Sequence, residues 1–335
     1  MSNMKILHTT PKGLPDWRIE REAYLAREAG HSVELLGMGS KNIPFLDVFD
    51  KITMVREINT RQAALDKSIR KEWADVINSI SPDLIHANDI IAAKYSSGLG
   101  IPMIYDDHEY WSAQLINYKN WPFWKRIAIR PFLKVVPIWE KEILSNHVTI
   151  TVSEAIAEEH RKVCKHVFLL RNLNLSKEVQ DLPINPNRTG IVYVGADYKL
   201  KKFAPHRDMT GLKDVIEFEV LSGLPRDVLF EKLTSFRFGL LPFKTTPYTK
   251  YISSTKTFDY LNCGLQVLMT RPLYKSHGQL PYTYPFDDYS EIPKLIEELE
   301  IINPKQIMEY ANKELVWESQ QHLLFKAYEI ALEEH

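Results

Sequence analysis

Two short stretches carry most of the side chains that could do chemistry. The first is YISSTKTFDYLNCG, Tyr251 to Gly264. Three hydroxyls, Ser253, Ser254 and Thr255, stand ahead of a helical pattern in which Phe258 and Leu261 are the apolar positions. One hydroxyl suffices as an N-cap. The others, with Lys256 and the positive end of the helix dipole, suit an anion such as a phosphate. Asp259 lies about one helical turn beyond Thr255, so its carboxylate shares that side and can accept bonds from a pair of hydroxyls. The second stretch is YDDHEYW, Tyr105 to Trp111, directly after an apolar run. It crowds Asp106, Asp107, His108 and Glu109 at the end of a strand. Carboxylates are rarely buried without partners. A histidine with acids that orient and tune it is the arrangement that acid–base or charge-stabilising chemistry needs. We therefore take His108, with Asp106 and Glu109, as the catalytic candidates, and Ser254, Thr255, Lys256 and Asp259 as ligand-binding candidates.

Other strand ends add to these. The loop Thr9-Thr10-Pro11-Lys12-Gly13 leads into a helix, and Gly13 there lets the backbone approach a ligand. His86 closes a strand in the run HAND, beside Asp89. Gly195 opens a loop that carries Lys199, Lys201, Lys202 and Arg207, cations that would suit a diphosphate. No strand is followed by G-x-G-x-x-G, which weighs against a dinucleotide dehydrogenase, and there is no G-x-x-x-x-G-K-[ST] phosphate loop.

Alternating strands and helices must position these residues. Strands are expected at Lys5–His8, Ser32–Leu36, Asp83–His86, Pro102–Tyr105 and His147–Val152. Helices are expected from Asp16 to Gly30, Thr60 to Ile80, Ile90 to Ser97 and Trp124 to Leu144. Such alternation predicts a parallel sheet covered by helices on both faces. From Asn172 the period fails in an Asn- and Pro-rich segment and then restarts: strands at Gly190–Val194, Val215–Leu221 and Phe238–Leu241, a helix at Arg226–Thr234, and a closing helix from about Leu315. We expect an α/β chain of two doubly wound, Rossmann-like domains facing a cleft. Residues 1–172 form the first, 173–189 a linker and 190–314 the second, with 315–335 returning toward the first. Ligands of open α/β sheets bind beyond the carboxyl ends of the strands, where all the candidates above fall.

Bulk composition agrees. The 335 residues are 44% hydrophobic and 25% charged, with a formal net charge of −1. That length suits two domains, each with its own core. A near-neutral chain argues against nucleic acid as a partner. Cys164 and Cys263 form neither a C-x-x-C nor a disulfide framework, so no metal ligands are expected and a reducing, cytoplasmic location fits. The stretch WPFWKRIAIRPFLKVVPIWEK, 121–141, mixes Trp and Phe with Lys and Arg and is a candidate for peripheral membrane contact.

Taken together, these segments resemble the two-Rossmann-domain (GT-B) glycosyltransferases, in particular the family-4-like group. EREAYLAREAGHSVELL resembles that family's first helix and second strand, PDLIHAND and IPMIYDDHEYW its strand-end segments, ITVSEAIAEEH its VSE helix, and STKTFDYLNCG its donor helix. The resemblance implies a hexosyltransferase-like enzyme without bound cofactor, metal-independent and retaining. It would take a UDP- or GDP-linked sugar to a hydroxyl on a glycan, a lipid-linked or a small-molecule acceptor. In that reading His108 sits near the reacting sugar, Asp259 grips the donor ribose, and Ser254, Thr255 and Lys256, with Gly195, Lys199 and Lys202, hold the diphosphate. Gly13 and His86 lie on the acceptor side. The family's usual pair of glutamates with seven residues between them is Tyr251 and Asp259 here, so the first carboxylate is absent. Two alternatives stand beside this reading: a non-catalytic sugar-binding or assembly subunit, and a nucleotide-sugar epimerase or hydrolase.

Overall fold

The computed structural model describes residues 3–39, 43–118, 122–195 and 208–335. The chain divides into two compact units. The first comprises 1–152, 156–170 and 320–335, the second 153–155 and 171–319.

The first unit holds a seven-stranded sheet: β1 (Lys5–Thr10), β2 (Ser32–Met38), β3 (Lys51–Val55), β4 (Leu84–Asn88), β5 (Met103–Asp107), β6 (Val148–Thr151) and β7 (Val167–Leu169). Its order is β3-β2-β1-β4-β5-β6-β7, and every pairing is parallel. The order reverses between β1 and β4, the switch point at which doubly wound sheets bind ligands. The strands read as nearly continuous apolar runs because helices cover both faces. On one face Trp73, Ile77, Phe132, Val136 and Trp139 pack against Leu7, Ile85 and Tyr105. The helix Trp17–Glu28 starts at Asp16, whose carboxylate accepts from the N–H groups of Arg18 and Ile19. The long polar helix expected over Thr60–Ile80 is two helices, Thr60–Leu65 and Lys67–Ile80, because Asp66 leaves the helical region and caps the second through Ser68 N. The helix Phe123–Asn146 runs through Pro131 and Pro137.

The second unit holds β8 (Ile191–Val194), β9 (Glu219–Leu221), β10 (Phe238–Leu241), β11 (Gln266–Thr270) and β12 (Thr283–Phe286), in the order β12-β11-β10-β8-β9 and again parallel. This is the other common doubly wound order, and its reversal falls between β8 and β10. Gly239 on β10 is where the sheet meets the helix Thr255–Asn262: a Cβ there would lie 2.3 Å from the ring of the fully buried Tyr260. That ring is held in place, since Tyr260 Oη accepts from Val194 N at 2.8 Å. Gly239→Ala is therefore expected to lower stability by about 1–3 kcal/mol through overpacking. A chemical-denaturation midpoint equal to that of the parent would refute it.

The segment expected as a linker, 173–189, falls within the second unit. Ser176–Val179 is a short helix, Asn174 is buried, and Trp317 N donates to Asn174 O at 2.8 Å. Asn174 donates to Asp259 Oδ1 and Asn262 Oδ1, whereas Pro183, Pro186 and Asn187 are exposed. The last helix, Trp317–Glu333, belongs to the first unit from Gln320 onward. There Tyr328 is fully buried.

Candidate functional site

Each unit presents its polar side chains beyond the strand carboxyl ends. In the first unit the organiser is Arg18, on the helix that follows β1. Its guanidinium forks onto Asp106, with Nε to Oδ2 at 2.6 Å and Nη2 to Oδ1 at 2.9 Å, and Nη1 donates to Leu170 O at 3.1 Å. Such bidentate pairs are the strong ones. Burial opposes the charge on Asp106, but Arg18 outweighs it and holds the carboxyl well below the usual carboxylate range. His108 Nδ1 lies 3.9 Å from Asp106 Oδ2, an ion pair and not a hydrogen bond. Burial pulls the His108 pKa down, yet Asp106 overcomes this and lifts it to about 9. At neutral pH His108 is an imidazolium. In that form it can donate a hydrogen bond and stabilise negative charge.

Behind this pair lies a fully buried group: His8 on β1, His86 on β4 and Glu22 on the first helix. The two histidines are register partners, and their rings stack with centroids 4.5 Å apart. Burial keeps both imidazoles neutral, His8 the more strongly. Burial also raises Glu22 well above its usual range, with Asp106 adding to the effect. His86 Nδ1 meets Tyr328 Oη at 3.1 Å. His86, expected on the acceptor side, is thus enclosed within its unit. The nitrogens and oxygens that His8, Glu22 and His86 offer lie within 4.8 Å of one another, a donor set that suits a transition metal. The Arg18 guanidinium, 3.1 Å from Glu22 Oε1, already supplies positive charge there, so a divalent ion would sit against a fixed cation.

At the rim, Glu109 Oε1 pairs with Lys12 Nζ at 3.4 Å and Oε2 accepts from Gln114 at 2.7 Å. Gly13, next to Lys12, is half-buried in the loop after β1. Asp89 caps the following helix through Ile91 N and accepts from Trp111 Nε1 at 3.0 Å. Asp107 turns the other way, 2.6 Å from His160 Nε2. Close to it, Glu140 is buried, and burial followed by the Asp107 charge pushes its carboxyl up to about 8. A raised acid pKa means stability that is full below the unfolded value near 4.5 and is lost as pH rises toward 8. Glu140→Gln keeps an acceptor for Ser112 N, which donates to Oε1 at 3.1 Å, and never ionises. The variant is expected to melt several degrees above the parent at pH 9 and close to it at pH 5. Equal melting points at both pH values would refute this.

In the second unit, Ser254 occupies the N-cap position of the Thr255–Asn262 helix with extended backbone, yet makes no side-chain cap bond. Its Oγ is buried without a partner, while Ser254 N donates to His277 Nε2 at 3.1 Å. A buried hydroxyl left unsatisfied costs about 1–3 kcal/mol. Thr255 is exposed and Lys256 half-buried. Asp259 is buried: its Oδ1 accepts from Arg226 Nη2 at 3.0 Å and from Asn174 Nδ2 at 3.1 Å. Sequence reasoning missed Arg226 and Asn174, and Arg18 and Glu22 in the first unit. The pattern shows that acids need partners but not which cation, 33 or 88 residues away, supplies them. Gly195 follows β8 at φ +152°, where a Cβ would lie 2.8 Å from the Tyr193 hydroxyl, and its N–H donates to Leu221 O at 2.9 Å. Lys199 and Lys202 lie outside the described residues, as do Lys201 and Arg207.

No protein-family model matches the chain, and no curated protein matches it in sequence. Solved structures match it along its whole length. Sucrose-phosphate synthase from Thermosynechococcus elongatus has a TM-score of 0.67 at 13% identity, covering 98% of this chain and 100% of that one. HepE of Anabaena, in complex with UDP and glucose, gives 0.61 at 12%, covering 97% and 100%. A structure described as trehalose-6-phosphate from E. coli bound with UDP-2-fluoro glucose gives 0.62 at 10%, covering 96% and 98%. The likeness shows that the chain has the two-unit α/β fold of these proteins, and the family-4-like subgroup is not distinguished by it.

Proposed function

We propose that the chain is a glycosyltransferase that moves a sugar from a nucleoside diphosphate sugar to an acceptor hydroxyl. The observation that carries this reading is the start of the Thr255–Asn262 helix, on a fold shared with proteins solved in complex with UDP and UDP-sugars. A serine at the N-cap position whose buried hydroxyl has no partner, next to Thr255 and Lys256, suits an anion. When the bond between the sugar's anomeric carbon and the diphosphate breaks, negative charge grows on the leaving oxygens. The helix N-terminus, Ser254, Thr255 and Lys256 would stabilise that charge without a metal. The acceptor oxygen bonds to the anomeric carbon and its proton leaves to the diphosphate or to water. His108, as an imidazolium, would donate to a sugar hydroxyl, Asp106 holding its charge. The finer reading is transfer with retention of anomeric configuration. Asp259 would meet the ribose, with Arg226 and Asn174 fixing its carboxylate.

UDP-GlcNAc 2-epimerase from Methanocaldococcus jannaschii shares the fold with a TM-score of 0.51 at 9% identity, covering 97% of this chain and 100% of that one, which favours keeping an epimerase or hydrolase as the second reading. Incubation with UDP- and GDP-sugars, with and without a mixture of sugar acceptors and with a chelator, separates them. Chelator-resistant release of nucleoside diphosphate that requires an acceptor supports transfer. Release or donor isomerisation without an acceptor supports the second reading. No reaction with a bound donor points to a non-catalytic subunit.

A further inference from the structure

The helix Phe123–Asn146 has two unlike faces. Phe132, Val136, Trp139 and Ile143 are buried in the core of the first unit. Opposite them, Phe123 is 70% exposed, Trp124 65%, Ile127 54% and Ile138 64%, four of the ten large exposed apolar side chains among the described residues. At ~100° per residue these four fall with Arg130, Lys134 and Lys141 into a sector of about 120°. All three cations are exposed. Glu142, at the edge of the sector, is held by Lys94. The other acid of the helix, Glu140, is buried. No described helix is long and apolar enough to cross a membrane.

We propose that this face is a docking surface for an anionic lipid bilayer, with Phe123, Trp124, Ile127 and Ile138 entering the interface and Arg130, Lys134 and Lys141 meeting the headgroups. The charge pattern decides the occupant. A second copy would bring the same three cations against each other across a symmetric contact, whereas anionic headgroups complement them. Aromatic and aliphatic side chains beside lysine and arginine, on a helix lying flat, are what an interfacial helix requires. The surface lies wholly on the first unit and does not depend on the donor reading.

The test is co-sedimentation of the intact protein with phosphatidylcholine vesicles, with and without phosphatidylglycerol. Binding is expected to the anionic vesicles, weaker on neutral ones and falling as salt rises. The double variant Arg130→Gln/Lys134→Gln is expected to bind roughly 30-fold more weakly. Trp124→Ser/Ile127→Ser is expected to lose vesicle binding while keeping the parent's melting point, because both side chains are exposed. The proposal is overturned by equal partition onto neutral and anionic vesicles, by no binding to either, or by a dimer in solution that Trp124→Ser/Ile127→Ser dissociates. Nucleotide-sugar turnover is measured separately without vesicles, so either reading fails alone.

Discussion

Replacing Arg18 with alanine is expected to cost roughly 3–5 kcal/mol, the loss typical when one partner of a buried ion pair is removed. Arg18 and Asp106 are both essentially inaccessible, and the guanidinium makes two bonds to the carboxylate and one to Leu170 O. Without it the Asp106 charge faces only imidazoles, His86 at 3.7 Å and His108 at 3.9 Å among the described residues, and Glu22 loses its neighbouring cation. Arg18→Lys keeps the charge but not the fork, and should recover part of the loss. Chemical denaturation of both variants decides it. A midpoint for Arg18→Ala within experimental error of the parent would show that the cluster does not hold the first unit together.

The second large effect falls on turnover. On the proposed reading His108→Ala is expected to lower the turnover rate about 10²–10³-fold, the loss typical of one charge-stabilising donor. The pH dependence makes the role specific. The raised pKa keeps His108 protonated through neutrality, and the donor is lost as pH rises through about 9. Parent activity should therefore fall in that range, and His108→Gln, which donates at every pH, should lack that limb. A base would show the opposite sign, with activity rising as the proton leaves. Unchanged turnover in His108→Ala would remove it from the site.

Much of the fold is readable from residue order. Asp16 does cap the first helix, Phe238–Leu241 is a strand, and Ile90–Ser96 differs from expectation by one residue. Where periodicity was broken it misled. Asp66 splits one polar helix into two, and of the strand expected over Val215–Leu221 only Glu219–Leu221 forms, after a 3-10 turn at Leu212–Asp214. Lys51–Val55, largely half-buried and opened by a lysine, and Thr283–Phe286, which contains Pro285, lack the continuous apolar run that marks the other strands. The candidate site is legible to the extent that chemistry crowds strand ends, as at Asp106 to Glu109. Burial and partnership are not. Asp259, read as a ligand-binding acid, lies buried against Arg226, and His86, read as an acceptor-side residue, packs against Tyr328. Those facts depend on contacts 33 and 242 residues away in the chain.

The measurement closest to the central claim is a thermal-shift screen of the purified protein against UDP, GDP, their sugar conjugates and NAD, repeated with Asp259→Ala. A ligand at ~100 times its dissociation constant stabilises the folded state by about 2.7 kcal/mol. The account predicts a rise of several degrees with one nucleoside diphosphate and its sugar conjugate, none with NAD, and loss of the shift in Asp259→Ala. A cooperative melt unmoved by every nucleotide sugar would contradict it.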